Sequence, residues 1–319
     1  RGYDLPQSNR ADSNLIYLTG FEEPHCFFIF RPGQVPETVM FVRPRDLAKE
    51  TWNGFRFGPE LTESLYNIDK AYPIDEFAKE APALLKTCDK VYYRLFKNQK
   101  ADELVADALE TARSSQGRTG YGILPIFDAC ELIGEYRLFK SDWEITQLRI
   151  ACDISSSAHL ASMKYARSGI NERQVHGVLL QTMMNLGANR EGYKSIVATG
   201  KNATTLHYSF NDQQCNDGEL ILIDAGAEYN YYSGDITRTW PVNGRFTADQ
   251  KAVYQGVLEI QKKIISTLKP GIFFKDLHET ASQLLTDLML DLGLLTGRKD
   301  DLLESSKYKK YYPHGIGHW

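Results

Sequence analysis

Apolar residues change their spacing along this chain, and the changes mark out its elements. Short runs bounded by turn residues predict strands over 14–20, 26–30, 38–42 and 91–95, with a Pro32-Gly33 turn between the second and third. Helical spacing covers 78–85 and 102–112. Strands alternating with helices predict a mixed α/β domain over 1–138. Within it, 50–58 carries Trp52 and Arg56 among glycines. That stretch reads either as an exposed loop packing one aromatic or as a binding segment.

A boundary falls near 138–140, and a second domain is expected over 139–319. Ser141 and Glu144 have the spacing of a capping box. Behind them Ile145, Leu148, Ile154, His159 and Met163 form the stripe of a helix running to about 165. Gly169 breaks it, and a second helix over 172–186 ends at Gly187. A strand is expected over 193–199, and 206–208 reads as a short strand or loop. Thr247 caps a long helix to about 268, stopped by Pro270-Gly271, and another runs over 274–292 to Gly293. A polar, charged stretch over 298–310 leads into the final residues. There is no internal repeat and no low-complexity tract.

The most informative pattern lies over 219–242. Leu220, Ile221, Leu222 and Ile223 form an apolar run typical of a buried strand, and Asp224 follows at once. Asp235 stands eleven residues further on, across a turn-prone Tyr229-Asn230-Tyr231-Tyr232-Ser233-Gly234 segment. A hairpin folding back about Tyr229-Asn230 puts the two carboxylates directly opposite each other, with Cβ atoms about 5 Å apart. Two bare carboxylates that close repel, unless a cation or a shared proton lies between them. Alternatively, the register differs by one or two and the aspartates cap a loop.

With 319 residues, 42% hydrophobic and 24% charged, the chain buries real cores and divides into two domains. The net charge of -4, without a basic run, excludes nucleic acid and anionic membrane as main partners. No apolar run approaches the roughly 18–20 residues of a membrane span, and the first residues show no signal-peptide pattern. The five cysteines are odd in number and scattered, which points to neither a disulfide framework nor a zinc knuckle. A reducing, cytoplasmic setting is the expectation. The chain begins at Arg1 and stops at Trp319 directly after a motif, so both ends read as cut.

Two of the seven histidines, His314 and His318, sit in the last six residues. Gly315 and Gly317 weigh against helix, so a strand or tight loop is expected there. A spacing of four keeps both imidazoles on one face of an extended segment. Carboxylate and imidazole ligands without thiolate suit Mn, Zn, Co or Fe.

Several stretches together resemble the proline-specific peptidases of the pita-bread metallopeptidase family, and within it the Xaa-Pro aminopeptidase (aminopeptidase P) group. They are Thr204-Thr-Leu-His207-Tyr, Leu222-Ile-Asp224-Ala-Gly-Ala-Glu-Tyr229, Gly234-Asp235-Ile-Thr-Arg-Thr239, Pro241-Val-Asn-Gly244 with Phe246-Thr247, and His314-Gly-Ile-Gly-His318-Trp319. Leu18-Thr-Gly-Phe-Glu-Glu-Pro24, Glu50-Thr-Trp52-Asn-Gly-Phe-Arg56 and the junction Arg137-Leu-Phe-Lys140 before Glu144-Ile extend the likeness over nearly the whole chain. The resemblance implies an α/β (α+β) chain: an N-terminal creatinase-like mixed α/β domain, then a pita-bread domain truncated at its C-terminal end. It implies a two-metal site, with Asp224 on one metal, Asp235 bridging and His318 on the other. His207 would bind substrate or handle protons, and His314 would contact the peptide. The implied cofactor is two divalent ions, manganese first, with zinc or cobalt as alternatives. The implied reaction removes an N-terminal residue before proline.

The family also supplies two glutamate ligands and a further catalytic His downstream of the His318 motif. With three of five ligands present, the 319-residue piece is expected to bind metal weakly or not at all, and to lack strands of its last sheet. Two other readings stand beside the aminopeptidase. One is an Xaa-Pro dipeptidase (prolidase), which shares every motif. The other is a non-catalytic pita-bread binding protein, or a metal-free hydrolase such as creatinase; both of these typically lack the aspartates that this chain keeps. The resemblance further implies a homo-oligomer, dimer or tetramer, with Trp52 reaching a neighbouring subunit.

Overall fold

The computed structural model describes residues 10–117 and 122–318. It divides into two units, Arg1–Ser141 and Asp142–Trp319. In the first, α1 (Ser13–Thr19) stands where the sequence pattern predicts a strand. Asp12 decides this: its side chain accepts from the backbone N–H of Asn14 and Leu15, and Gly20 closes the helix at φ 69°. Strands β1 (Phe27–Phe30) and β2 (Thr38–Val42) pair antiparallel. Next come α2 (Leu47–Asn53) and α3 (Gly58–Tyr66), then β3 (Lys70–Pro73), which lies parallel to β2.

The 50–58 segment, read as either an exposed loop or a binding segment, is partly helix. Asp46 caps α2, and Trp52 near its end is 85% exposed. Phe57 is the aromatic that packs, against Phe21 and Tyr66. Helix α4 (Phe77–Leu85), β4 (Val91–Tyr92), α5 (Gln99–Ser114), β5 (Ile126–Phe127) and α6 (Ala129–Leu138) complete the unit. Strand β4 covers only the first two residues of the predicted 91–95 and pairs with β5. Central β2 is buried on both faces: Val39 and Phe41 pack on Phe77 and Ala81, while Met40 and Val42 pack on Phe21 and Ile68. A strand covered on both sides reads as unbroken apolar sequence, as Thr38-Val-Met-Phe-Val42 does.

The second unit opens with α7 (Asp142–Tyr165) and α8 (Glu172–Asn185). Asn171 and Gln174 form a reciprocal capping box at the start of α8. Short strands β6 (Arg190–Glu191) and β7 (Ile196–Thr199) follow, then the long hairpin of β8 (Leu220–Tyr229) and β9 (Tyr232–Pro241). Strand β8 is central, with β9 along one edge and β7 and β6 in tandem along the other. Ile221, Ile223, Ala225 and Ala227 point from one face of β8 into a core with Ile154, Ala158, Val175, Leu179 and Met183. Asp224 has the opposite parity and lies on the other face.

The hairpin turns one residue later than the sequence pattern suggests. Asn230 and Tyr231 are its two loop residues, both left-handed at φ 47° and 69°, as a type I′ turn requires. Asp224 is therefore opposite Thr237, and Asp235 opposite Gly226. The slip is two residues, and an even slip keeps every side chain on its face. The carboxylates are diagonal neighbours instead of direct partners.

Helices α9 (Ala248–Thr267), α10 (Phe274–Asp291) and α11 (Lys299–Glu304) follow. The charged stretch at 298–310 thus holds α11 and a 3-10 turn at Lys307–Lys310. Residues 311–318 form neither helix nor strand, and Trp319 lies outside the described residues. Among the described residues, no helix is long and apolar enough to cross a membrane.

Candidate metal centre

Asp224 and Asp235 are brought together by a residue the sequence pattern did not single out. The Tyr193 hydroxyl lies 2.5 Å from Asp224 Oδ1 and 2.7 Å from Asp235 Oδ1. Its placement comes from a bulge. Glu191 pairs with Ala227 and Ile196 with Asp224, so four residues, 192–195, stand opposite two, Ala225 and Gly226. The extra length turns Tyr193 out of the ladder and over the carboxylates, the re-aiming that bulges beside functional sites provide. Glu191 holds the bulge closed by accepting from Ser195 N (3.3 Å) and Ser195 Oγ (2.8 Å). His176, 3.5 Å away, and then those serine bonds hold the Glu191 carboxyl below its usual range.

A phenol has one proton and donates to one carboxylate at a time. The phenol proton therefore serves only one of the two short contacts at a time. Burial, and then the bonds to Asp224 and Asp235, push the Tyr193 phenol far above its ordinary range, so it stays protonated.

His318 closes the other side. Its Nε2 is 3.5 Å from Asp235 Oδ2, the oxygen that Tyr193 does not use. Ile316, two residues earlier, anchors the tail by packing against Ile264, Leu277 and Ala281 of α9 and α10. Tyr312 stacks obliquely on His278, with ring centroids 5.8 Å apart.

The remaining candidates stand apart. His207 lies exposed in the turn before Tyr208, and His314 is exposed with Nδ1 2.7 Å from Gly315 O. No hydrogen bond or ion pair among the described residues joins either of them to the aspartates. Among the described residues, no group of three or more His, Cys, Asp and Glu is arranged so that it could hold a metal ion.

Comparison with known proteins decides the family. A family model for metallopeptidase family M24 matches residues 146–319, and one for the aminopeptidase P N-terminal domain matches 1–92. The chain belongs to metallopeptidase family M24. It is 38% identical to the Xaa-Pro aminopeptidase of Haemophilus influenzae, across 100% of this chain and 72% of that protein. It superposes on Pseudomonas aeruginosa aminopeptidase PepP with a TM-score of 0.94, at 38% identity, covering 100% of this chain and 72% of that one. The zinc-substituted Escherichia coli aminopeptidase P in complex with product gives 0.94 at 33% identity, with 100% and 73% covered.

The M24 assignment makes divalent metal the cofactor class, and the residues present fit part of such a centre. Two carboxylates flank one hydroxyl, an imidazole nitrogen lies beside Asp235, and no cysteine is among these residues. That donor set suits a hard or borderline divalent ion.

Proposed function

We propose that this M24 protein is an Xaa-Pro aminopeptidase, hydrolysing the bond between an N-terminal residue and a following proline. The observation that supports it most is the Asp224–Tyr193–Asp235–His318 cluster, in a chain aligned over its whole length with Xaa-Pro aminopeptidases. In this reading Asp224, Asp235 and His318 hold a two-metal centre, manganese first, with zinc or cobalt able to replace it. When bound, such ions polarise the scissile carbonyl and ease loss of a proton from the attacking water.

The chain's own residues do the rest. Tyr193 orients both carboxylates by hydrogen bonding. His207 and His314, both exposed, take the peptide and move protons in this reading. Water adds to the carbonyl carbon, the C–N bond to proline breaks, and the proline nitrogen gains a proton. The products are a free amino acid and a peptide beginning with proline. The five cysteines are free thiols, which fits a reducing, cytoplasmic setting. The exposed Trp52 of α2 fits an interface with a second copy in a dimer or tetramer.

The test is cleavage of an Arg-Pro-Pro peptide by the full-length gene product with added manganese, beside Asp235→Ala. Free arginine released by the first and not the second supports the assignment. Cleavage confined to Xaa-Pro dipeptides moves it to a dipeptidase. No cleavage with manganese, cobalt or zinc, together with no metal uptake, establishes a non-catalytic binding protein.

A further inference from the structure

His207 belongs to a segment between β7 and β8 that forms no strand of its own. Two buried side chains hold that segment. Glu172, the first residue of α8 and 0% exposed, accepts four hydrogen bonds. Thr199 N and Thr199 Oγ1 donate to Oε1 at 2.7 and 2.8 Å. Tyr208 Oη and Gln213 N donate to Oε2 at 2.7 and 3.0 Å. Thr199 ends β7, Tyr208 adjoins His207, and Gln213 lies six residues beyond His207. Burial, then the bond to Glu172, push the Tyr208 phenol up to about 12, so it remains a donor at neutral pH.

Asn211 works from the other side. It is buried and left-handed at φ 48°. Its Oδ1 accepts from Val197 N (2.9 Å) and its Nδ2 donates to Ser195 O (2.8 Å). The side-chain amide thus pairs with β7 as a neighbouring strand would, at the end of the bulge that carries Tyr193. A buried carboxylate is a poor source of stability compared with an apolar group of the same size; what it supplies is a fixed geometry.

We propose that Glu172 and Asn211 are positioning residues that set His207 relative to Tyr193 and the aspartate pair. This rests on the assignment of His207 to substrate handling made above. Glu172→Gln keeps the volume but turns an amide NH2 toward groups that all donate, so one corner of the clamp is lost.

The experiment uses the full-length gene product as wild type, Glu172→Gln, His207→Ala and the double variant. Manganese uptake, kcat and KM on Arg-Pro-Pro, and amide hydrogen exchange are measured on each. Expected for Glu172→Gln are unchanged manganese uptake and a loss of about 10- to 100-fold in kcat/KM. Exchange should quicken over 199–213 and stay unchanged over 220–241. In the His207→Ala background, the same substitution should cost little more. Losses that simply multiply, unchanged exchange over 199–213, or full activity in Glu172→Gln overturns the inference. Full activity in His207→Ala overturns the role of His207, and the functional part of the inference with it, even where exchange shows the clamp. If Glu172→Gln does not fold, Tyr208→Phe removes a single donor and reads out the same pattern at smaller amplitude.

Discussion

Tyr193→Phe isolates the hydroxyl that joins the two carboxylates. The ring stays in the bulge and only the bridging oxygen is removed. In the wild type that oxygen lies 2.5 and 2.7 Å from one oxygen of each aspartate. The Oδ2 atom of Asp235 is left facing His318. The hydroxyl therefore engages one oxygen of each carboxylate and leaves the other oxygen of each to further partners. A hydrogen bond to a charged acceptor contributes about 1.5–3 kcal/mol, so losing it should weaken divalent-metal binding by about 10- to 150-fold. Outer-shell partners of metal ligands commonly cost a similar 10- to 100-fold when removed. The assay is calorimetric titration of the metal-free full-length gene product with manganese and with zinc. Affinity equal to wild type would refute the argument. Higher affinity would refute it more strongly, because the hydroxyl would then be competing with the ion for the same oxygens.

Two further predictions concern stability. A Cβ at Gly234 would lie 2.6 Å from the backbone C and O of Ala151 and the N of Cys152 in α7, atoms that cannot swing aside. Gly234→Ala should cost about 1–3 kcal/mol. Gly256→Ala meets only the tip of Leu288 and gains about 1 kcal/mol of helix propensity, so it should be near neutral. Equal losses in urea unfolding would sink the distinction. Burial first, and then Arg238, hold buried His159 below its usual pKa; its Nε2 lies 3.1 Å from Ala225 O. The unfolded chain takes up that proton as pH falls through about 6.5, and the folded chain does so only at lower pH. Stability should therefore fall below that pH by up to about 1.4 kcal/mol per pH unit. His159→Gln should flatten the slope, and an unchanged slope in the variant would count against the account.

Much of the fold was legible, because strong local signals agreed with their surroundings. Thr247 and Gln250 form the reciprocal capping box that starts α9, and Gly187 and Gly293 follow α8 and α10 with positive φ. Strand β2 is apolar throughout because both its faces are covered. The failures have physical causes. Leu15-Ile-Tyr-Leu18 is apolar enough for a strand, but Asp12 offers its carboxylate to the first turn of a helix. The hairpin register was misplaced because Tyr231, a residue that rarely takes positive φ, occupies the second loop position. Helices α3 and α6 were not anticipated: α6 carries a weak stripe, and α3 is short and opens on the turn-like Gly58-Pro59. Tyr193 was invisible as a site residue. A two-residue excess in one strand appears only when that strand is laid against its partner.

The site combines parts of very different sequence separation, and this orders their dependence on one another. The carboxylates are eleven residues apart and are fixed by a two-residue turn, so the hairpin alone sets them on one face. Tyr193 needs the pairing of β6 and β7 with β8 before it can reach them. His318 needs more still: α9 and α10 must pack before Ile316 has a surface to sit on. The last donor is also the least buried, at 79% side-chain exposure against 49% for Asp235. A ligand that requires all three contributions favours the state in which the tail is docked, since binding free energy adds to the stability of whichever state binds. A metal at Asp235 and His318 would therefore act on folding as well as on chemistry. It would fasten the exposed His318 segment to the hairpin, the part of the site that forms with the least help.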